Sequence, residues 1–119
     1  MITLIWYPKC STCKRAKAWL DLNHIAYKER HIVEENPTKR ELEEWYHNND
    51  YPLKQYFNTS GNLYKEMNLK EKLPEMTEEE QISLLATNGM LVKRPLVIME
   101  SKILIGFKEP LWEAFFLKK

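Results

Sequence analysis

The sequence has little that would point to a membrane, a nucleic acid or a nucleotide as a partner. No apolar run approaches the roughly 20 residues that a membrane-spanning helix needs. The 18 basic residues are balanced by 17 acidic ones, and a net charge of +1 offers no field for neutralising nucleic-acid phosphates. The three glycines form no phosphate-binding loop. We therefore expect a soluble globular protein without a membrane, nucleic-acid or nucleotide partner.

Cysteine is also scarce, because Cys10 and Cys13 are the only two in the chain. Two cysteines three positions apart cannot staple a small secreted fold, but they can alternate between dithiol and disulfide. The apolar run at residues 2–7 has no basic segment before it, unlike the start of a signal peptide. We therefore expect a cytoplasmic protein, and 119 residues suit a single domain spanning 1–119.

Cys10 and Cys13 lie where an apolar, β-branched run meets a run with helical periodicity. A Cys-x-x-Cys pair between a strand and a helix is typical of thioredoxin-like redox proteins. A helix start and basic neighbours lower the pKa of a cysteine from about 8.5 into a range of roughly 3.5–7.5. Lys9, Lys14 and Arg15 supply positive charge here. The pattern therefore predicts Cys10 as the attacking thiolate and Cys13, one helical turn further on, as the resolving thiol.

The two cysteines also have two other interpretations. Both could be small buried hydrophobic residues, since free cysteine is often buried. Zinc is the second alternative, because Cys10 and Cys13 with His24 and His31 form a C-x2-C-x10-H-x6-H series. That spacing departs from the spacing of zinc fingers, and the histidines are predicted at a helix end and in a strand. We therefore predict no metal at this site.

The predicted elements run β-α-β, then several helices, then β-β-α. The strands are predicted at residues 2–7, 26–32, 96–99 and 103–107. The first and last helices are predicted at residues 11–22 and 109–118, with Leu22 and Leu111 among their buried positions. This order indicates an α/β fold with a thioredoxin/glutaredoxin-like mixed sheet. The core would comprise about residues 1–35 and 90–119, and residues 36–89 would form a helical insertion.

Local signals mark helices within the predicted insertion. Thr38 with Glu41, and Thr77 with Glu80, each have the spacing of a capping box that opens a helix. The pair at 88–89, Asn-Gly, is typical of a helix stop. We therefore predict that the second capped helix ends there.

Arg94 and Pro95 come directly before a predicted strand. The position resembles that of the cis proline that faces the redox cysteine in thioredoxin-like folds, so we predict a cis bond that keeps the strand edge open for a substrate backbone. Arg94 would then direct its planar fork toward the Cys10 sulfur or an oxyanion bound there. A solvated Arg94 and a proline that merely begins the strand are the alternative.

Four segments resemble the ArsC family, which covers glutaredoxin-coupled arsenate reductases and the Spx/MgsR regulators. They are residues 7–13 (YPKCSTC), 35–38 (ENPT), 90–95 (MLVKRP) and 106–109 (GFKE). The resemblance implies a thioredoxin-like fold with a helical insertion and a Cys10 thiolate that attacks arsenate. It implies no bound cofactor, with glutathione and glutaredoxin, or thioredoxin, as the reductant. The residues that would bind substrate are Ser11, Thr12, Lys14 and Pro95, with Arg94 as a pocket arginine.

The chain departs from the reductase pattern in two ways. Asn58 and Gly106 stand where the resemblance would place the other pocket arginines, which leaves a protein or glutathione disulfide as an alternative substrate to arsenate. Cys13 is similar to the Spx branch, in which Cys-x-x-Cys is a redox switch and a glycine in the insertion contributes to binding the RNA polymerase α subunit. No glycine lies between Asn36 and Ser60, which disfavours that partner. The expected partner is a redox protein or glutathione, and a redox-sensing regulator is the alternative function.

Overall fold

The computed structural model describes residues 1–117, which form a four-stranded mixed sheet surrounded by helices. The strands are β1 (Ile2–Trp6), β2 (Tyr27–His31), β3 (Leu96–Met99) and β4 (Lys102–Ile105), in the order β2-β1-β3-β4. The helices are α1 (Ser11–Leu22), α2 (Lys39–Asn48), α3 (Asn62–Glu66), α4 (Leu69–Lys72), α5 (Glu78–Leu85) and α6 (Glu109–Phe116). Short 3₁₀ helices occur at Leu53–Tyr56, Leu73–Glu75 and Gly89–Leu91. The element order β-α-β, helices, β-β-α is the one predicted.

The sheet is covered on both faces, and the alternation of side chains along each strand explains how. β1 runs parallel to β2 and β3 runs antiparallel to β1 and β4. Leu4 packs with residues of α1 and α6, whereas its neighbour Ile5 packs with residues of α2 to α5. Val97 and Leu96 divide between the two cores in the same way. β1, β3 and β4 are rich in buried apolar residues, which made these strands recognisable from the sequence, whereas the edge strand β2 has no buried residue.

The capping boxes place α2 and α5 as predicted. The Thr38 hydroxyl accepts the N–H of Glu41 at 3.1 Å, and the Glu41 carboxylate accepts the N–H of Thr38 at 3.0 Å. Thr77 and Glu80 make the same pair of bonds. Each box satisfies two of the amide groups that a helix start leaves without partners.

The predicted helix stop at the Asn-Gly pair is wrong. α5 ends at Leu85, and the Asn88 side chain instead accepts the N–H of Met90 at 2.8 Å, which caps the following 3₁₀ helix. Gly89 is required there by packing, because a Cβ atom would lie 1.9 Å from the carbonyl oxygen of Ile32.

Two predicted core positions are also wrong, since Leu22 is 77% exposed and Leu111 is 50% exposed. The buried side of α1 carries Cys13, Ala16 and Leu20. Leu22 lies two positions beyond Leu20, about 200° around a helix, and therefore faces away from the sheet. In α6 the buried side chain is Trp112, and the preceding residue is turned about 100° from it. The predicted last helix extended to residue 118, which lies outside the described residues.

None of the helices in residues 1–117 combines the length and the apolar character needed to cross a membrane.

Candidate active site

Cys10 occupies the N-cap position of α1, directly after the loop that leaves β1. Its backbone N–H donates to the carbonyl of Tyr7 at 3.0 Å, and its own carbonyl accepts the first helical bond from the N–H of Lys14 at 3.1 Å. The Cys10 Sγ accepts the backbone N–H of Cys13 at 3.3 Å, as a capping oxygen would. The sulfur therefore faces the amide groups of the helix start, where negative charge is stabilised.

The two sulfurs of the motif have different environments. Cys13 is fully buried, whereas Cys10 is partly exposed, and both are free thiols. Burial, followed by the hydrogen bond to Cys10, raises the pKa of Cys13 to about 12. The raised pKa keeps the Cys13 thiol neutral.

The pKa of Cys10 is shifted in the opposite direction. Burial raises it, but hydrogen bonds from the side chain and backbone of Cys13, together with the hydrogen bonding and positive charge of Arg94, outweigh that effect. The net result is a pKa below the ordinary value for cysteine. A partly exposed sulfur with a lowered pKa beside a buried sulfur with a raised pKa is the arrangement needed for a nucleophile and a resolving partner.

Arg94 lies beside this dithiol, and its peptide bond to Pro95 is cis, as predicted. The Arg94 guanidinium carbon lies 5.0 Å from the centre of the Tyr7 ring, within the range of a cation–π contact. Its Nε and Nη1 atoms are buried and make no hydrogen bond within residues 1–117. The alternative of a fully solvated arginine is therefore wrong. Pro95 is buried before β3, a strand paired on both sides, so any opening lies at the end of that strand and not along its edge.

The other predicted site residues are not all brought together. Thr12 accepts a hydrogen bond from Arg15 at 3.4 Å and lines a groove of about 520 Å³ that Arg94 also lines. Ser11 and Lys14 are exposed on α1 and are not among the residues that line this groove.

The groove contains three lysines that were not predicted as site residues, beside two arginines that the sequence analysis had named. Its basic residues are Arg15, Lys54, Lys93, Arg94 and Lys108, and its apolar wall includes Phe57 and Phe107. Lysines 54, 93 and 108 come from three distant segments, so only the fold brings them together. Lys93 and Lys108 lie within two of the four segments that carry the family resemblance, but the resemblance assigned neither of them a role, and Lys54 lies in none of those segments.

The positions aligned with the missing pocket arginines lie near Arg94. Asn58 lines a second cavity of about 490 Å³ that Arg94 also borders, and Gly106 lines the cationic groove. Gly106 has a φ of +76°, in the region that favours glycine, and its carbonyl accepts the indole N–H of Trp112 at 3.1 Å. Of the three expected pocket arginines only Arg94 is therefore present, and the groove adds Arg15 and three lysines.

The geometry offers no support for the zinc alternative. In residues 1–117 no three His, Cys, Asp or Glu side chains converge in a way that could hold a metal ion. The Nδ1 atom of His31 accepts the backbone N–H groups of Val33 and Glu34, both at 3.1 Å. His31 also packs edge-on against Tyr7, at 5.6 Å between ring centres.

Comparison with known proteins identifies close relatives over nearly the whole chain. The ArsC family model matches residues 5–115. A Bacillus subtilis protein described as "Uncharacterized protein YusI" is 50% identical over 112 residues, covering 94% of this chain and 95% of that protein. The "Regulatory protein MgsR" of the same organism is 31% identical over 106 residues, covering 89% of this chain and 82% of that protein.

Solved structures agree with the fold. The crystal structure of an ArsC family related protein from Bacteroides fragilis is 56% identical, covers 95% of both chains and superposes with a TM-score of 0.92. The crystal structure of a "possible arsenate reductase" from Streptococcus mutans is 42% identical, covers 98% of both chains and gives a TM-score of 0.91.

Proposed function

This chain belongs to the ArsC family, and we propose that it is a thiol–disulfide oxidoreductase with Cys10 as nucleophile and Cys13 as resolving thiol. The observation that carries the proposal is the Cys10 sulfur, which accepts the Cys13 N–H at 3.3 Å and lies beside Arg94 with a lowered pKa. The similarity to the Streptococcus mutans protein supports the broader class of this activity, which is thiol chemistry of the arsenate-reductase type.

The reaction uses the different environments of the two sulfurs. The Cys10 thiolate attacks one sulfur of a disulfide and forms a mixed disulfide, while the other sulfur leaves as a thiolate. Cys13 then loses its proton to a leaving thiolate and attacks the Cys10 sulfur, which releases the bound thiol and forms a Cys10–Cys13 disulfide. The substrate gains two electrons and the protein loses two. A cellular thiol or dithiol, of the glutathione/glutaredoxin or thioredoxin type, would restore the reduced state.

Arsenate is the second substrate candidate for the same nucleophile. Arg94 is held beside Cys10 with two nitrogens free of hydrogen bonds within residues 1–117, which suits an oxyanion. The absence of arginine at positions 58 and 106 weakens such a clamp, because lysine does not reproduce the bidentate geometry of arginine.

A steady-state comparison separates these substrates. Wild type, Cys10→Ser and Cys13→Ser are assayed for reduction of arsenate and of a small disulfide, with glutathione plus glutaredoxin and, separately, with thioredoxin. We expect Cys10→Ser to abolish all turnover and Cys13→Ser to accumulate a mixed disulfide at Cys10, visible as added mass. Turnover that survives in Cys10→Ser would remove the proposed nucleophile.

A redox-responsive regulator is a second candidate function, because MgsR is named a regulatory protein and is 31% identical. In this function the Cys10–Cys13 redox state would control binding to a protein, with the RNA polymerase α subunit as the partner to test. The segment 37–59 contains no glycine, and the Tyr-Pro pair at 51–52 precedes a 3₁₀ helix there. A pull-down with the α subunit under reducing and oxidising conditions tests this candidate, which fails if neither state binds.

A further inference from the structure

The groove beside the dithiol contains positive charge without any negative charge to balance it. Five of its twelve lining residues are basic and none of them is acidic. The ion pairs within residues 1–117 all involve other basic residues, so the groove cations are not neutralised by them. The whole chain carries a net charge of only +1. Positive charge is therefore concentrated in the groove although the chain as a whole is nearly neutral, and such a concentration of charge attracts anionic ligands.

The groove is connected to the reactive sulfur. Neither cysteine lines the groove itself, and Arg94 makes the connection, because it lines the groove and also interacts with the Cys10 sulfur. A ligand whose disulfide reaches Cys10 would therefore extend its neighbouring groups along the lysines.

The size and lining of the groove favour an extended ligand. A volume of about 520 Å³ is that of a site for a small organic molecule or a few residues of a peptide. Phe57 and Phe107 provide apolar contact, while Lys54 and Lys108 are exposed at its rim. A peptide with carboxylates and with apolar side-chain methylene groups matches this lining better than a compact tetrahedral anion does.

We propose that this groove selects disulfide substrates in which carboxylates flank the reacting cysteine, as in an acidic polypeptide segment. The proposal rests on the oxidoreductase function proposed above and adds its substrate class. Lys54, Lys93 and Lys108 act as specificity-determining residues by pairing with those carboxylates. Glutathione disulfide is a smaller ligand that also combines a disulfide with nearby carboxylates.

The test is a single-turnover reaction of the reduced full-length protein with three matched peptides. Each peptide carries one cysteine as a pyridyl disulfide, flanked by glutamates, glutamines or lysines. Cys10 attacks the peptide sulfur, the sulfur–sulfur bond breaks, and pyridinethiolate leaves and takes up a proton, which is followed by absorbance. No added reductant is needed. Glutathione disulfide is a fourth substrate, followed by release of glutathione, and inorganic phosphate at matched ionic strength is a competitor.

Two variants of equal charge change give the control. One is the groove variant Lys54→Gln, Lys93→Gln, Lys108→Gln. The other replaces three exposed lysines that lie outside the groove: Lys28→Gln, Lys65→Gln, Lys102→Gln. The ratio of the acidic to the neutral rate is compared within each protein, so that a general loss of activity cancels.

We expect wild type and the control variant to prefer the acidic over the neutral peptide by on the order of tenfold at low salt, and the groove variant to bring this ratio near one. The preference should also decline as ionic strength rises, which is measured on wild type and needs no variant to fold.

If the rate with glutathione disulfide falls in the groove variant and not in the control variant, the ligand is a small tripeptide. If only the rate with the longer acidic peptide falls in this way, the ligand is a protein segment. Both results support the proposal. Equal rates for the three peptides overturn it while the oxidoreductase function stands. A lack of reaction with every peptide overturns both, and competition by phosphate at matched ionic strength without any peptide preference makes the groove an oxyanion site instead.

Discussion

Replacing Arg94 by glutamine tests whether this residue lowers the pKa of Cys10. Arg94 lies beside the Cys10 sulfur, stacks on Tyr7 and lowers the pKa of the thiol by hydrogen bonding and charge. Glutamine keeps much of the side-chain length and polarity but removes the charge. The substitution therefore removes one of the interactions that outweigh the effect of burial on this pKa.

The expected magnitude follows from the kind of interaction that is lost. A hydrogen bond to a charged group contributes about 1.5–3 kcal/mol. Cys10 is partly exposed, so solvent screening favours the lower end of that range. At a pH well below the pKa, this corresponds to about a tenfold loss of thiolate. A more basic thiolate is intrinsically more nucleophilic, so the reaction rate falls less than the thiolate fraction does.

The assay is the pH dependence of alkylation by iodoacetamide, an uncharged reagent. It is performed in a Cys13→Ser background, where Cys10 is the only thiol in the chain and the serine hydroxyl can still donate. Arg94→Gln should move the midpoint to higher pH. Arg94→Lys should give an intermediate midpoint, because it keeps the charge and loses the fork. Arg40→Gln, an exposed position on α2, is the charge-matched control. An unchanged midpoint in folded Arg94→Gln would refute the assignment of Arg94 as an activating group.

Three further predictions concern stability. Glu41→Gln should destabilise the protein by about 1 kcal/mol at neutral pH, a value reduced because the carboxylate is 36% exposed. The hydrogen bond from Arg30 lowers the pKa of Glu41 to about 2, so the difference in stability from wild type should shrink as the pH falls from about 4.5 toward 2. Urea unfolding at each pH measures this difference. Gly89→Ala should lower the thermal midpoint by many degrees, because its Cβ would lie 1.9 Å from the Ile32 carbonyl oxygen; a wild-type midpoint would contradict the close approach. Trp112→Phe should cost about 1–3 kcal/mol by leaving a buried carbonyl without its indole donor, and calorimetry showing no loss would contradict that role.

The local parts of the fold were predictable because their signals lie within a few residues of one another. The capping box of Thr38 and Glu41 forms within one turn, and Cys10 caps α1 through the amide three positions later. Such bonds depend on nearby backbone geometry and need no information about the rest of the chain. The start of α1 and the orientation of the Cys10 sulfur toward its amides followed from the same kind of signal.

Long-range packing explains what the sequence patterns missed. Gly89 is a typical helix-stop residue by type, but its role is to let the chain pass close to Ile32, 57 positions away in sequence. Leu22 and Leu111 are apolar, and only the position of the sheet determines that they face solvent. Composition cannot give the direction in which a helix meets its neighbours.

The sequence by itself determined the cysteine pair, the order of the elements and the membership of a family, because each depends on residues that are adjacent or that recur in a known order. Only the tertiary structure decided the environment of that pair. It placed Arg94 beside Cys10 although 84 positions separate them, and it collected lysines from three distant segments into one groove. Electrostatic interactions depend on distance through space, and that distance is set by how the whole chain packs.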